Sequence, residues 1–180
     1  TWMEYIEAWR SWHKECHARA TVASVAPKVD RQLALSRMVL RCHLDKTHPG
    51  AMVASLSVPW GNAKDDRGGY HLVWPRDLVE CASALLAVGG EREARDVLRY
   101  LIATQYVDGH WNQNQWLGGT PFWQGVQLDE AALPVLLAAL LVYWLLQTVA
   151  GRDMLLAQII ARLPAGSTLT WKEVDGPLAG

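Results

Sequence analysis

Apolar residues recur at spacings of three and four along separate segments of this chain, and two long stretches rich in tryptophan, glycine and amide side chains interrupt them. Ile6, Trp9, Trp12, His13 and Cys16 form one such set, and Leu33, Met38, Val39 and Cys42 a second, with Pro27 in the link between them. That period buries one face of a helix, so two amphipathic helices are predicted. Leu78, Val79, Ala82, Leu85 and Leu86 begin a third, which stops at Gly89-Gly90, where glycine suits a helix end. Glu91, Ala94, Val97, Leu98, Leu101 and Ile102 make a fourth, opened by acidic residues as the helix dipole prefers. A fifth is expected over residues 131–150 and a sixth over 154–163. Between them, 47–75 and 108–128 lack helical period and read as turns and short extended pieces. Helix pairs joined by long polar loops predict an all-α scaffold whose loops gather at one end and carry the function.

Composition removes several function classes. The chain has 180 residues, 51% of them hydrophobic, and a formal charge of −1, enough for one buried core and without bias toward a polyanion. Lysine and arginine are scattered, so no nucleic acid partner is expected. Cys16, Cys42 and Cys81 are odd in number and form no CxxC pair, and they read as buried thiols rather than a disulfide or zinc framework. The first fifteen residues carry charge every few positions and lack a signal-peptide apolar core, which leaves localisation open. His13 and His17, or Asn62, Asp65 and Asp66, could be imagined on a metal, but neither set has the ligand spacing of a zinc or EF-hand site. No metal and no cofactor is implied.

Half of the ten tryptophans lie between Trp60 and Trp123, interleaved with Tyr70, Arg76, Asp77, Asn112, Gln113, Asn114, Gln127, Asp129 and Glu130. Flat aromatic faces beside fixed hydrogen-bonding groups suit a sugar ring, with its apolar C–H faces and polar rim.

The stretches GAMVASLSVPWGN, GGYHLVWPRDLVE and YLIATQYVDGHWNQNQWLGGTPFWQGVQLDEAALPVLL, and more loosely WKEVDG, resemble the catalytic domain of glycoside hydrolase family 15, the glucoamylase and glucodextranase family. The resemblance is strongest over residues 45–137. It implies an (α/α)6 toroid of paired helices, of which residues 1–180 would be the N-terminal half of one catalytic domain. It further implies hydrolysis of terminal α-linked glucose from glucans or oligosaccharides, with inversion. Linkage preference, α-1,4, α-1,6 or trehalose, is not readable.

Within that resemblance, Arg76 and Asp77 of WPRD correspond to residues of the innermost subsite, where a donor fork and an acceptor pair fit neighbouring hydroxyls. On the residues alone, a local ion pair capping the helix, with Asp77 near its positive end, is the favoured reading. Tyr70 matches a position near the catalytic water and Trp74 a pocket wall, although both could be core aromatics. Trp123 matches a sugar-stacking tryptophan, with Gln127 and Asp129 as polar pocket residues. Glu130 reads as a cap of the helix it begins. His110, Trp111 and Trp116 are secondary candidates, because HWNQNQW could serve hydroxyl recognition or simply stabilise its own loop.

Inverting hydrolysis needs a carboxylic acid and a separate carboxylate base. The family's acid lies in a Trp-Glu-Glu motif, and here Trp171-Lys172-Glu173 places lysine at the acid position. A lysine of ordinary pKa about 10.4 is poorly matched to that role, so Glu173 is the catalytic candidate. The family's base comes from the later half of the toroid and is expected to be absent. The alternative reading is therefore a catalytically incomplete carbohydrate-binding or structural fragment. Incomplete packing would expose helix faces, predicting self-association or a companion chain. The uncharged run 131–150 has the length of a membrane span, but the motif continues into it, so a buried inner helix is expected and a membrane is not.

Overall fold

The computed structural model describes residues 1–20, 26–58, 68–162 and 164. Among the described residues six helices follow in order, α1 (Trp2–Arg19), α2 (Pro27–His43), α3 (Pro75–Ala87), α4 (Glu91–Thr104), α5 (Leu128–Gln147) and α6 (Val149–Ile160). Extended pairing among the described residues is limited to single bridges, Leu44 with Met52, Val73 with Gln115 and Gln115 with Pro121. The all-α expectation holds among the described residues, and the described parts of both long loops are loops. The chain divides into two compact units, Thr1–Ala138 and Ala139–Gly180.

The core of the first unit is the α3–α4 hairpin. Leu78, Val79, Ala82, Leu85 and Leu86 from α3 and Ala94, Val97 and Leu101 from α4 are all buried, and each large side chain among them contributes roughly 1.5–3 kcal/mol. Ile102, placed on this face by period, is instead 62% exposed. The turn between the two helices depends on Gly89, at φ +89°, where a Cβ would stand 2.2 Å from the Cys16 carbonyl oxygen. α1 therefore comes close at this turn and buries Trp12 and Cys16.

α2 departs from its predicted face. Met38, Val39 and Cys42 are exposed, and Arg37 is buried in their place, its Nε donating to the Val88 carbonyl at 3.2 Å. The carbonyls at the end of α3 need donors, which guanidinium supplies and an apolar side chain does not. Met38 and Cys42 instead line an open groove of about 550 Å³ with Ile6, Trp9 and His13 of α1. Cys42 is thus not the buried thiol expected, and Cys81 is half-buried.

α5 starts at Leu128, three residues before the predicted boundary, and carries Pro134 in its interior. Glu130 and Leu137 are buried, but Val135, Leu136, Leu140, Val142, Tyr143 and Leu146 are exposed. The expectation of a buried inner helix is corrected accordingly, because the described residues cover only one side of it. The helix is long and apolar enough to cross a membrane by length and composition. In the second unit the step into α6 is tight. Thr148 caps α6, its Oγ1 accepting from Gly151 N at 2.9 Å, and a Cβ on Gly151 would lie 2.6 Å from the Trp144 carbonyl oxygen.

Candidate functional site

The start of α3 organises the site. Trp74 is extended, as a residue before proline prefers, and Pro75 opens the helix without wasting an N–H. Arg76 and Asp77 therefore leave the first turn of α3 beside the first turn of α5. Arg76 Nη1 donates to Asp129 Oδ2 at 2.8 Å, whereas its Nη2 is 3.8 Å from Asp77 Oδ2. The predicted pair of sequence neighbours is the looser of the two contacts. Each of these side chains is 37–45% exposed, leaving hydrogen-bonding capacity open to a ligand.

Glu130 is fully buried beneath this cluster. Its Oε2 accepts from the backbone N–H of Arg76 at 2.6 Å, and its Oε1 stands 3.9 Å from Arg76 Nη1 without a hydrogen-bond partner. Glu130 was expected to cap its own helix and caps α3 instead. Burial pushes its carboxyl up to about 7, with the Arg76 N–H and guanidinium opposing. Asp77 is also raised, by burial, despite Arg76. The hydrogen bond from Arg76 holds Asp129 below the usual carboxylate range and raises Arg76 in return. Three carboxylates thus surround one guanidinium, and their protons are held unequally.

The aromatic wall stands next to this cluster. Trp74 Nε1 donates to the Gly69 carbonyl at 2.9 Å, and its ring meets Trp123 edge-on at 5.6 Å between centroids. Trp123 is set by the second long loop, which is pinned to the segment before α3 by paired bonds between Val73 and Gln115, of 2.8 and 3.0 Å. Asn114 Oδ1 accepts from Trp123 N at 2.9 Å and Asn112 Oδ1 from Gly125 N at 3.2 Å. Between the two readings of HWNQNQW, these contacts select loop stabilisation. Trp111 is buried and donates to the Leu101 carbonyl at 2.9 Å, His110 pairs with Asp108 and stacks on Tyr106, and Trp116 packs edge-on against Phe122.

The sequence-predicted residues are brought together in part. Arg76, Asp77 and Asp129 form one cluster, and Trp74 and Trp123 form the wall. Tyr70 lies on the turn before Trp74, and Gln127 directly precedes α5, its carbonyl accepting from Ala131 N at 3.1 Å. Glu173 and Lys172 lie outside the described residues, as do Trp60, Asn62, Asp65 and Asp66. Among the described residues no group of three or more histidine, cysteine or acidic side chains could hold a metal ion. Glu130, Asn112 and Asn114 act here in positions the sequence did not assign. The adjacency of Glu130 to Asp129 was visible, but which helix it would serve depended on how α3 and α5 pack.

Residues 29–108 match the family model described as glycosyl hydrolases family 15. A glucoamylase from Clostridium sp. (strain G0005) is 41% identical over 129 residues, which are 71% of this chain and 18% of that protein. The crystal structure of a bacterial glucoamylase complexed with acarbose matches with a TM-score of 0.65 at 36% identity, over 89% of this chain and 23% of that one. The chain therefore spans about a fifth of the length of these relatives. The family match includes Tyr70 through Asp77 and ends before Trp123 and Asp129.

Proposed function

We propose that this chain, which belongs to glycosyl hydrolases family 15 and has part of its (α/α)6 toroid fold, forms the pocket for a terminal α-linked glucose of a glucan or oligosaccharide. Residues 1–180 are read as one segment of the catalytic domain. The observation that carries the proposal is the cluster of Arg76, Asp77 and Asp129 next to the Trp74–Trp123 pair. Arg76 donates to sugar hydroxyls, Asp77 and Asp129 accept from them, and Trp123 packs on the apolar ring face. Tyr70 and Gln127 complete the rim.

Charge supports a reactive role for such a pocket. Inverting glycoside hydrolysis passes through an oxocarbenium-like state, and carboxylates in excess over guanidinium favour developing positive charge. In this reading Glu173 supplies the acid, and a second carboxylate, of this chain or of a companion chain, takes the proton from the attacking water. A second reading, saccharide binding without turnover, is favoured by one observation, Lys172 at the position where the family carries its acid.

Proton NMR of the chain with maltotriose separates the two. New β-glucose, lost in Glu173→Gln, supports an inverting hydrolase. Saturable binding without glucose release supports the second reading, and absence of both binding and release refutes the glucose pocket. The exposed apolar side chains of α5 are proposed as the surface for self-association or a companion chain.

A further inference from the structure

A second cavity, of about 630 Å³, lies between α1, the turn that follows α2 and the start of α4. It shares no lining residue with the Arg76 cluster. Its volume falls in the range of small-molecule pockets, roughly 300–1,000 Å³. Three aromatic side chains of α1, Tyr5, Trp9 and Trp12, contribute to its wall. They are spaced four and three residues apart, which puts them on one helix face.

The wall is held rigidly. Arg41 reaches from α2 to lie over both indole rings, 4.4 Å from Trp12 and 4.7 Å from Trp9. Trp12 Nε1 donates to Glu93 Oε1 of α4 at 2.7 Å. Arg19 of α1 pairs with the buried Glu91 at 3.4 Å. α1 is thereby fixed to the hairpin by charge-assisted contacts on the side where the cavity lies. Such contacts keep aromatic side chains in one geometry before any ligand arrives, which lowers the ordering cost of binding.

The lining also defines the class of occupant. It carries five basic and five acidic side chains. An anion would meet the carboxylates, a cation the guanidinium and ammonium groups, and an apolar molecule would take water from charged groups that pairs such as Arg19 with Glu91 satisfy only in part. A neutral molecule rich in hydroxyls suits both signs, since each hydroxyl can accept from a cation and donate to a carboxylate. Tyr5, 45% exposed, stacks on Trp2 at 5.7 Å and carries Lys46 Nζ over its ring at 5.6 Å, so it offers a ring edge together with an ammonium donor. We propose that this cavity is a second saccharide-binding site, separate from the glucose pocket at α3.

The test is titration calorimetry of maltotriose into the 180-residue chain and its variants, with indole N–H signals followed by NMR. Arg76→Ala is expected to keep a saturable isotherm that shifts the Trp9 and Trp12 indole signals. Adding Tyr5→Ala is expected to weaken that isotherm about fivefold, the value of one lost ring contact. Tyr5 is sufficiently exposed for this change to leave the helix intact, and Trp9→Ala provides the stronger version. If Arg76→Ala abolishes all binding, or if neither Tyr5→Ala nor Trp9→Ala alters the residual isotherm, the second site is overturned. If Arg76→Ala changes nothing while Tyr5→Ala weakens binding, the second site stands and the glucose pocket at α3 falls.

Discussion

The backbone N–H of Arg76 donates to Glu130 Oε2 at 2.6 Å, so a side chain from α5 caps α3 at the very residue proposed to grip the sugar. The cap also places a buried carboxyl 3.9 Å from the guanidinium it helps to orient. Position and charge of the proposed pocket are consequently set by one group.

That group predicts a pH dependence of stability. Its folded pKa is about 7, above the ordinary 4.5, so its stabilising contribution is complete below pH 4.5 and declines as pH rises toward 7. The span corresponds to about 3 kcal/mol. Glu130→Gln keeps an oxygen for the Arg76 N–H but does not titrate. Thermal melts should show the stability difference, wild type minus variant, falling between pH 4.5 and 7 and flat above. A constant difference over that window would refute the assignment.

Arg76→Ala removes the donor to Asp129 and leaves three carboxylates without their shared counter-ion. Affinity of the α3 pocket for maltotriose is expected to fall tenfold or more, the value of about 1.5–3 kcal/mol for a hydrogen bond to a charged group. The Asp129 pKa, followed by carboxyl NMR, should rise toward its ordinary value because its largest depressing influence is gone.

Much of this arrangement was legible in the sequence, for reasons that differ by residue. The α3 and α4 faces were readable because Leu78 through Leu101 repeat with helical period against each other, and local period alone determines such a hairpin. α2 was misread because Arg37, whose long stem can be buried while its head finds a carbonyl, took a place that period gave to Met38 and Val39. Arg76 and Asp129 were each identified, but their bond spans 53 residues and follows from helix packing. Asn112 and Asn114 resisted assignment because an amide serves a ligand or a backbone N–H equally well, and only the fold shows which one it meets.

Asn114→Ala should therefore act through Trp123 rather than through lost sugar contacts. Loss of the acceptor for Trp123 N is expected to cost about 1–2 kcal/mol of stability in denaturant titration. Maltotriose affinity of the α3 pocket should weaken about tenfold as the tryptophan wall shifts. Unchanged affinity would show that Trp123 is not the stacking platform.

Gly50→Ala tests the packing of the first long loop against α4. Gly50 has φ +88°, and a Cβ there would lie 2.1 Å from the Asp96 carbonyl oxygen. A loss of roughly 2–4 kcal/mol is expected from combined strain and clash. Gly118→Ala, whose Cβ would meet nothing nearer than His48 Nε2 at 3.5 Å, should stay within about 0.5 kcal/mol in the same melts.

Tyr100 sits in α4 on the core hairpin, yet its hydroxyl donates to the Leu117 carbonyl at 3.0 Å and accepts from Gln115 Nε2 at 3.0 Å. With Trp111 fastened to Leu101, the loop that positions the tryptophan wall is welded to the innermost helix pair rather than suspended above it. Hydrogen exchange in this loop should consequently follow the slow opening of the core, and ligand recognition and folding should be gained and lost as one cooperative unit.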